Sequence, residues 1–162
     1  MGGMLSPLVL FALLSAAGQT GSPEVPAVEI RPVRMDRMIV VRMKHGTDLL
    51  AGLQEAVARE KIRNAVILSA IGSVTSYHVH MVDNRTLPPK DVYLRGDRAY
   101  DIGSTQGYVV NGRVHCHIVL GDKRSTLAGH LEPGNRVFTF AAITLAALSD
   151  GELEGIDDWK RR

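Results

Sequence analysis

The sequence predicts an α+β fold, a mainly antiparallel β-sheet carrying one principal amphipathic helix. Three observations predict it. Leu49, Leu50, Leu53, Ala56 and Val57 fall on one helical face, which predicts a helix over 48–60. Most of the remaining chain reads as β-rich runs separated by turn residues, from RMIVVRMK at Arg37–Lys44 to VFTFAAITLAAL at 137–148. Between two of these runs lies Asn111-Gly112, and both residues tolerate the positive φ of a type I′ turn, so the flanking runs form a hairpin.

Taken in order, the ordered region is expected to begin at Arg37, with a first strand bounded by His45-Gly46. His45 is a turn residue. Thr47 is the expected N-cap, and Asp48 in the first turn meets the positive end of the helix dipole. Ala65–Gly72 is a continuous apolar run of strand length, as in a central strand covered on both faces. Val74–Val82 is a separate strand. Pro88-Pro89 excludes a central strand from the following segment. A strand ending near Val110, the Asn-Gly turn and the RVHCHIVLG run follow. Segments 125–130 and 136–148 complete the sheet, divided by a turn at Pro133-Gly134. The β-branched and aromatic first half of the last segment favours a strand over a helix.

Four regions are expected: a signal-peptide-like leader at 1–17, a linker at 18–36 containing Pro23, Pro26 and Pro32, a single domain at 37–149, and a C-terminal tail at 150–162. No charged side chain precedes Glu24. The apolar run Leu8–Ala17 is shorter than the roughly 20 residues that span a bilayer, and small residues follow it. A cleaved leader makes the protein secreted or periplasmic, with no transmembrane anchor left; an uncleaved or misassigned start leaves it cytoplasmic. Asp157 and Asp158 are expected at the surface of the tail.

With 19 basic and 17 acidic side chains mixed along the chain, the net charge of +2 gives no strong field to attract nucleic acid or an anionic membrane. A single cysteine, Cys116, excludes an intramolecular disulfide and is expected to be buried. No nucleophile elbow or phosphate-binding loop is present, and no catalytic residue is identified. Asp36, Asp48, Asp83 and Asp122 sit at element ends, where capping and turns account for them.

The histidines carry the most chemistry. In VHCHIVLGD, His115 and His117 project from one face of a strand while Cys116 points to the other, so the cysteine cannot join them on one metal. Their Cα atoms lie about 6.5–7 Å apart along the strand, within reach of a common ion. The third ligand must come from elsewhere, and His130 is the candidate, although the sequence does not fix the pairing register. Three histidines and no thiolate fit zinc, and equally copper or nickel. The same alternation also fits a wet face or a polar subunit interface. His78 and His80 share a face by the same rule but lack an evident third partner.

HGTDLLAGLQEAVAREKIRNAVILSAIGSV, then a hairpin carrying VHCHIVLGD, then LAGHLEPGNRVFTF resembles the PPC domain (DUF296) family over residues 37–149. The resemblance implies a mainly antiparallel sheet assembled as a homotrimer. It also implies a metal site, since some bacterial members pair an H-x-H strand with the histidine of a G-H-L segment; the matching positions are His115, His117 and His130. Gly129 and Gly72 match family glycines. Ala142 stands where many relatives carry an acidic residue, and the AT-hook of plant members is absent. The expected function is an exported, trimeric protein that binds a metal or small ligand through its histidine cluster. Two rivals stand beside it: a metal-dependent hydrolase or lyase, for which no general base is identifiable, and a DNA- or protein-binding regulator by analogy with plant members.

Overall fold

The computed structural model describes residues 27–150 and 153–160, so the leader and the first part of the linker lie outside the described residues. Six strands and one helix follow in the order β1 (Arg34–Lys44), α1 (Leu49–Arg59), β2 (Ala65–Val82), β3 (Asp91–Val110), β4 (Arg113–Gly121), β5 (Thr126–Leu131) and β6 (Val137–Asp150). All strand pairings are antiparallel, in the order β1-β6-β2-β3-β4-β5, and β5 also pairs with β2. That last pairing closes β2, β3, β4 and β5 into a ring. The predicted fold class, a mainly antiparallel sheet with one helix, is the observed one.

Leu49, Leu53 and Val57 bury one stripe of α1 against the inner face of the sheet. There they join Ile67, Val79, Val109, Cys116, Ile118, Leu131, Ile143 and Leu145 in one hydrophobic core. The N-cap is Asp48 rather than Thr47. Its Oδ1 accepts from the Ala51 amide (3.0 Å) and its Oδ2 from the Gly134 amide (2.6 Å). With two separate oxygens, the carboxylate caps the helix and holds the β5–β6 turn at once.

The two runs read as separate strands at Ala65–Gly72 and Val74–Val82 form one strand of 18 residues. Its first part pairs with β6 and its far end with β5, with irregular register around Gly72. Gly72 has φ +136°, and a Cβ there would overlap the Phe140 carbonyl and lie 2.8 Å from Ala141 Cα. Glycine lets the two backbones approach there while the strand bends from one partner to the next. The first strand starts three residues before the expected Arg37. The last segment is a strand, as its composition predicts.

Two turns set the registers that matter for the site. Asn111 (φ 49°) and Gly112 (φ 82°) make the predicted two-residue turn, pairing Val110 with Arg113. At the next turn Asp122 Oδ1 accepts from the amides of Arg124 (2.7 Å) and Ser125 (2.8 Å), and Asp122 is ion-paired with Arg98. This side-chain-closed turn pairs Gly121 with Thr126 and, four residues further along each strand, His117 with His130.

Candidate metal centre

β4, β5 and β2 lie side by side at one end of the ring, and a row of histidines crosses them. His130 on β5 is paired with His117 on β4 and with His80 on β2. Directly paired residues project to the same face, here the outer one, because the alternate residues Cys116, Ile118, Val79 and Leu131 are buried in the core. His115 joins from two residues earlier on β4. Its ring centroid is 4.7 Å from that of His130, and the His80 and His130 rings stack at 4.5 Å.

Two groups of possible ligand atoms result, each with its atoms within 4.8 Å of one another: His115, His117 and His130; and His80, His130 and Glu132. The first is the trio read from the sequence, and the structure brings it together. The second was missed. β2 runs past Gly72 without a break, so His80 reaches β5, and Glu132 lies two residues beyond His130. His78 does not join; its Nδ1 lies 2.8 Å from the Pro133 carbonyl oxygen. Asn135, fully buried, donates to the His78 carbonyl (2.8 Å) and the Glu132 carbonyl (2.6 Å), tying this end of β2 to the β5–β6 turn.

Two carboxylates orient the imidazoles. Glu132 Oε1 lies 2.6 Å from His80 Nδ1, and Asp157 Oδ2 lies 2.7 Å from His115 Nδ1. Each carboxylate accepts the Nδ1 proton and leaves Nε2 with the lone pair, the usual arrangement behind a metal-ligating histidine. Asp157 is therefore misread as a surface residue; its side chain is 11% exposed and also holds Arg113. Asp158 is exposed, as expected. Burial, followed by the neighbouring His115, His80 and His117, lowers the His130 pKa to about 4. Burial and then His115 and His80 lower that of His117. Both imidazoles are neutral near pH 7, with lone pairs free for an ion. The donor set is nitrogen-rich and thiolate-free, which fits zinc, copper or nickel.

Cys116 faces the core, and burial raises its thiol pKa to about 12. It takes no part in the cluster. Native protein at pH 8 is therefore expected to resist a thiol-alkylating reagent, and the same protein in denaturant to react completely. Rapid native labelling, read by mass, would place Cys116 outside the core.

The outer groove at the cluster, about 720 Å³, is walled by His80, His115, His117, His130, Arg113 and Trp159, among others. The match to the family model decides the family: residues 31–149 match the Plants and Prokaryotes Conserved (PCC) domain. The chain belongs to this family. It is the PPC family of the sequence resemblance, and the PCC match covers every strand but the last residue of β6. Among solved structures, the PCC chain is similar to the metal-containing protein AF0104 from Archaeoglobus fulgidus, at 26% identity and a TM-score of 0.68, covering 77% of this chain and 88% of that one. A plant- and prokaryote-conserved protein from Pyrococcus horikoshii aligns at 24% identity and a TM-score of 0.63, covering 75% and 85%. A Bacteroides thetaiotaomicron protein provisionally named as DNA-binding aligns at 18% identity and a TM-score of 0.61, covering 75% and 87%; both likenesses show the fold alone. Among curated proteins, the bifunctional protein GlmU of a Synechococcus strain (JA-3-3Ab) is 26% identical over 84% of this chain. The PCC chain spans about a fifth of that relative's length.

Proposed function

We propose that this protein binds a divalent transition metal, zinc or another, through His115, His117 and His130, and acts as a trimeric metal- or small-ligand-binding protein. One observation carries the reading: three imidazoles, read together from the sequence, converge to within 4.8 Å on one face, with the His115 Nδ1 occupied by a carboxylate. The metal-containing relative from Archaeoglobus fulgidus supports it. The ion would hold an open coordination position toward the outer groove, where a small ligand binds. Metal analysis of purified and reconstituted protein tests this. Stoichiometric zinc, copper or nickel is the expected result, and none after reconstitution would overturn the reading.

Trimer formation is supported by the outer face of the sheet. Val40 (67% exposed), Ile71 (61%), Phe138 and Phe140 lie exposed on neighbouring strands there, with only His45 beside Phe138 and Arg42 beside Phe140 as ring contacts among the described residues. A face of this kind is ordinarily covered, and a second copy of the chain suits the homotrimer implied by the family. Light scattering is expected to give three times the chain mass for wild type and a smaller species for Val40→Glu, Ile71→Glu. A monomeric wild type would refute the trimer.

A hydrolytic or lyase activity is a second reading, now favoured by one specific feature. Glu132, beside His80 in the cluster, is a carboxylate placed to serve as a general base. A DNA-binding role finds less support, because the near-neutral charge supplies little phosphate affinity. Export through the leader remains part of the proposal. N-terminal sequencing of the mature protein tests it, with an intact Met1 as the contrary outcome. No helix among the described residues is long and apolar enough to cross a membrane.

A further inference from the structure

The segment after β6 lies outside the family match, which ends at residue 149, yet it supplies a wall of the site. Leu153 is 3% exposed and anchors it. The Glu154 carbonyl accepts from Arg31 Nη1 (2.8 Å), and turns bonded from Ile156 to Leu153 and from Asp158 to Gly155 fold the chain back over β4. The turns deliver Asp157, whose Oδ2 lies 2.7 Å from both Arg113 Nη2 and His115 Nδ1. Ile156 and Asp157 also line a second groove, on the Tyr108 side of His115 and His117, while Trp159 lines the first. The segment therefore sits between the two openings onto the same histidines.

We propose that Asp157 is a positioning residue of the metal centre, and that the segment after β6 is a working part of the centre rather than a tail. Asp157 fixes His115 as the Nδ1–H tautomer, so that Nε2 presents its lone pair to the ion. Arg113 holds the carboxylate in place from its other side. A metal that needs this tautomer binds more tightly when the segment is docked, and by reciprocity its binding strengthens the docking. The proposal rests on the metal-site reading of His115, His117 and His130.

The test uses the full chain in two arms. In the metal-free protein, ¹⁵N shifts of the His115 ring report the tautomer. Wild type is expected to show Nδ1–H alone, and Asp157→Ala a mixture; an unchanged tautomer overturns the proposal whether or not any metal binds. In the second arm, zinc affinity is measured by competition with a chelator. Asp157→Ala is expected to lose about 10–100-fold, the usual cost of removing such a partner. Arg113→Ala, which leaves the His115 contact, is expected to lose less. A variant that lowers Tm while leaving zinc affinity unchanged would assign Asp157 a structural role only and overturn the proposal. Failure of wild type to bind zinc, copper or nickel defeats the metal-site reading itself, which the first arm separates from failure of the positioning role. Trp159, the only tryptophan, gives an independent signal: its fluorescence is expected to be quenched by copper in wild type and less so in Asp157→Ala at the same occupancy.

Discussion

The double variant His115→Ala, His117→Ala is expected to purify folded and without metal, and wild type with a stoichiometric ion. Both side chains project from the outer face of β4, so their removal leaves no hole in the core formed by Val114, Cys116 and Ile118. Two of three ligands vanish, and His130 alone holds no ion against a chelator. Because a metal bound only by the native state stabilises by mass action, free metal at 100 times Kd adds about 2.7 kcal/mol to wild type. For a chain of this size that corresponds to a rise in Tm of roughly 5–10 °C. The double variant is expected to show no rise. A variant that keeps both the metal and the shift would move the site to His80, His130 and Glu132, the other group that shares His130.

Gly72→Ala is expected to be strongly damaging for a single added methyl. An alanine Cβ would overlap the Phe140 carbonyl, part of the paired β6 backbone, and cannot be relieved by a side-chain rotation. Its φ of +136° is also one that L-residues rarely adopt. The strain and the separation of β2 from β6 together are expected to cost about 4 kcal/mol or more, in the range reserved for steric damage to a core. Urea denaturation measures it, provided the variant can be purified. A loss under 1 kcal/mol would show that the β2–β6 ladder slides freely at this point. Since the bend at Gly72 also aims the far half of β2 at β5, a surviving variant is expected to misplace His80.

Much of the fold was legible because the sequence repeats its signals locally. The period of α1, the Asn111-Gly112 turn and the β-rich runs each involve neighbours a few residues apart. The site was half legible. Strand alternation alone removed Cys116 and placed His115 with His117; His130 was the candidate third ligand without a fixed register, and the family resemblance reinforced it. Other features were opaque. The single strand through Gly72 was read as two, because glycine marks a turn and a bend equally well. Thr47 and Asp48 are both good caps, and the choice fell to Asp48 through its bond to Gly134, 86 residues away. In the sequence His80 only shares a face with His78, and nothing there linked it to Glu132 or His115 to Asp157, since those partners lie 52 and 42 residues off.

By itself, the sequence determined the fold class, the helix face, the burial of the lone thiol and the pair of imidazoles that can share an ion. Each follows from residue types and a fixed geometric period along the chain. Only the tertiary structure decided that His130 stands between His117 and His80, because that register is set by the Asp122 turn and by the closure of β5 onto β2. It alone decided that Asp157 holds His115. A hydrogen bond between distant segments depends on how the whole sheet curls, and that curl is a property of all the pairings at once.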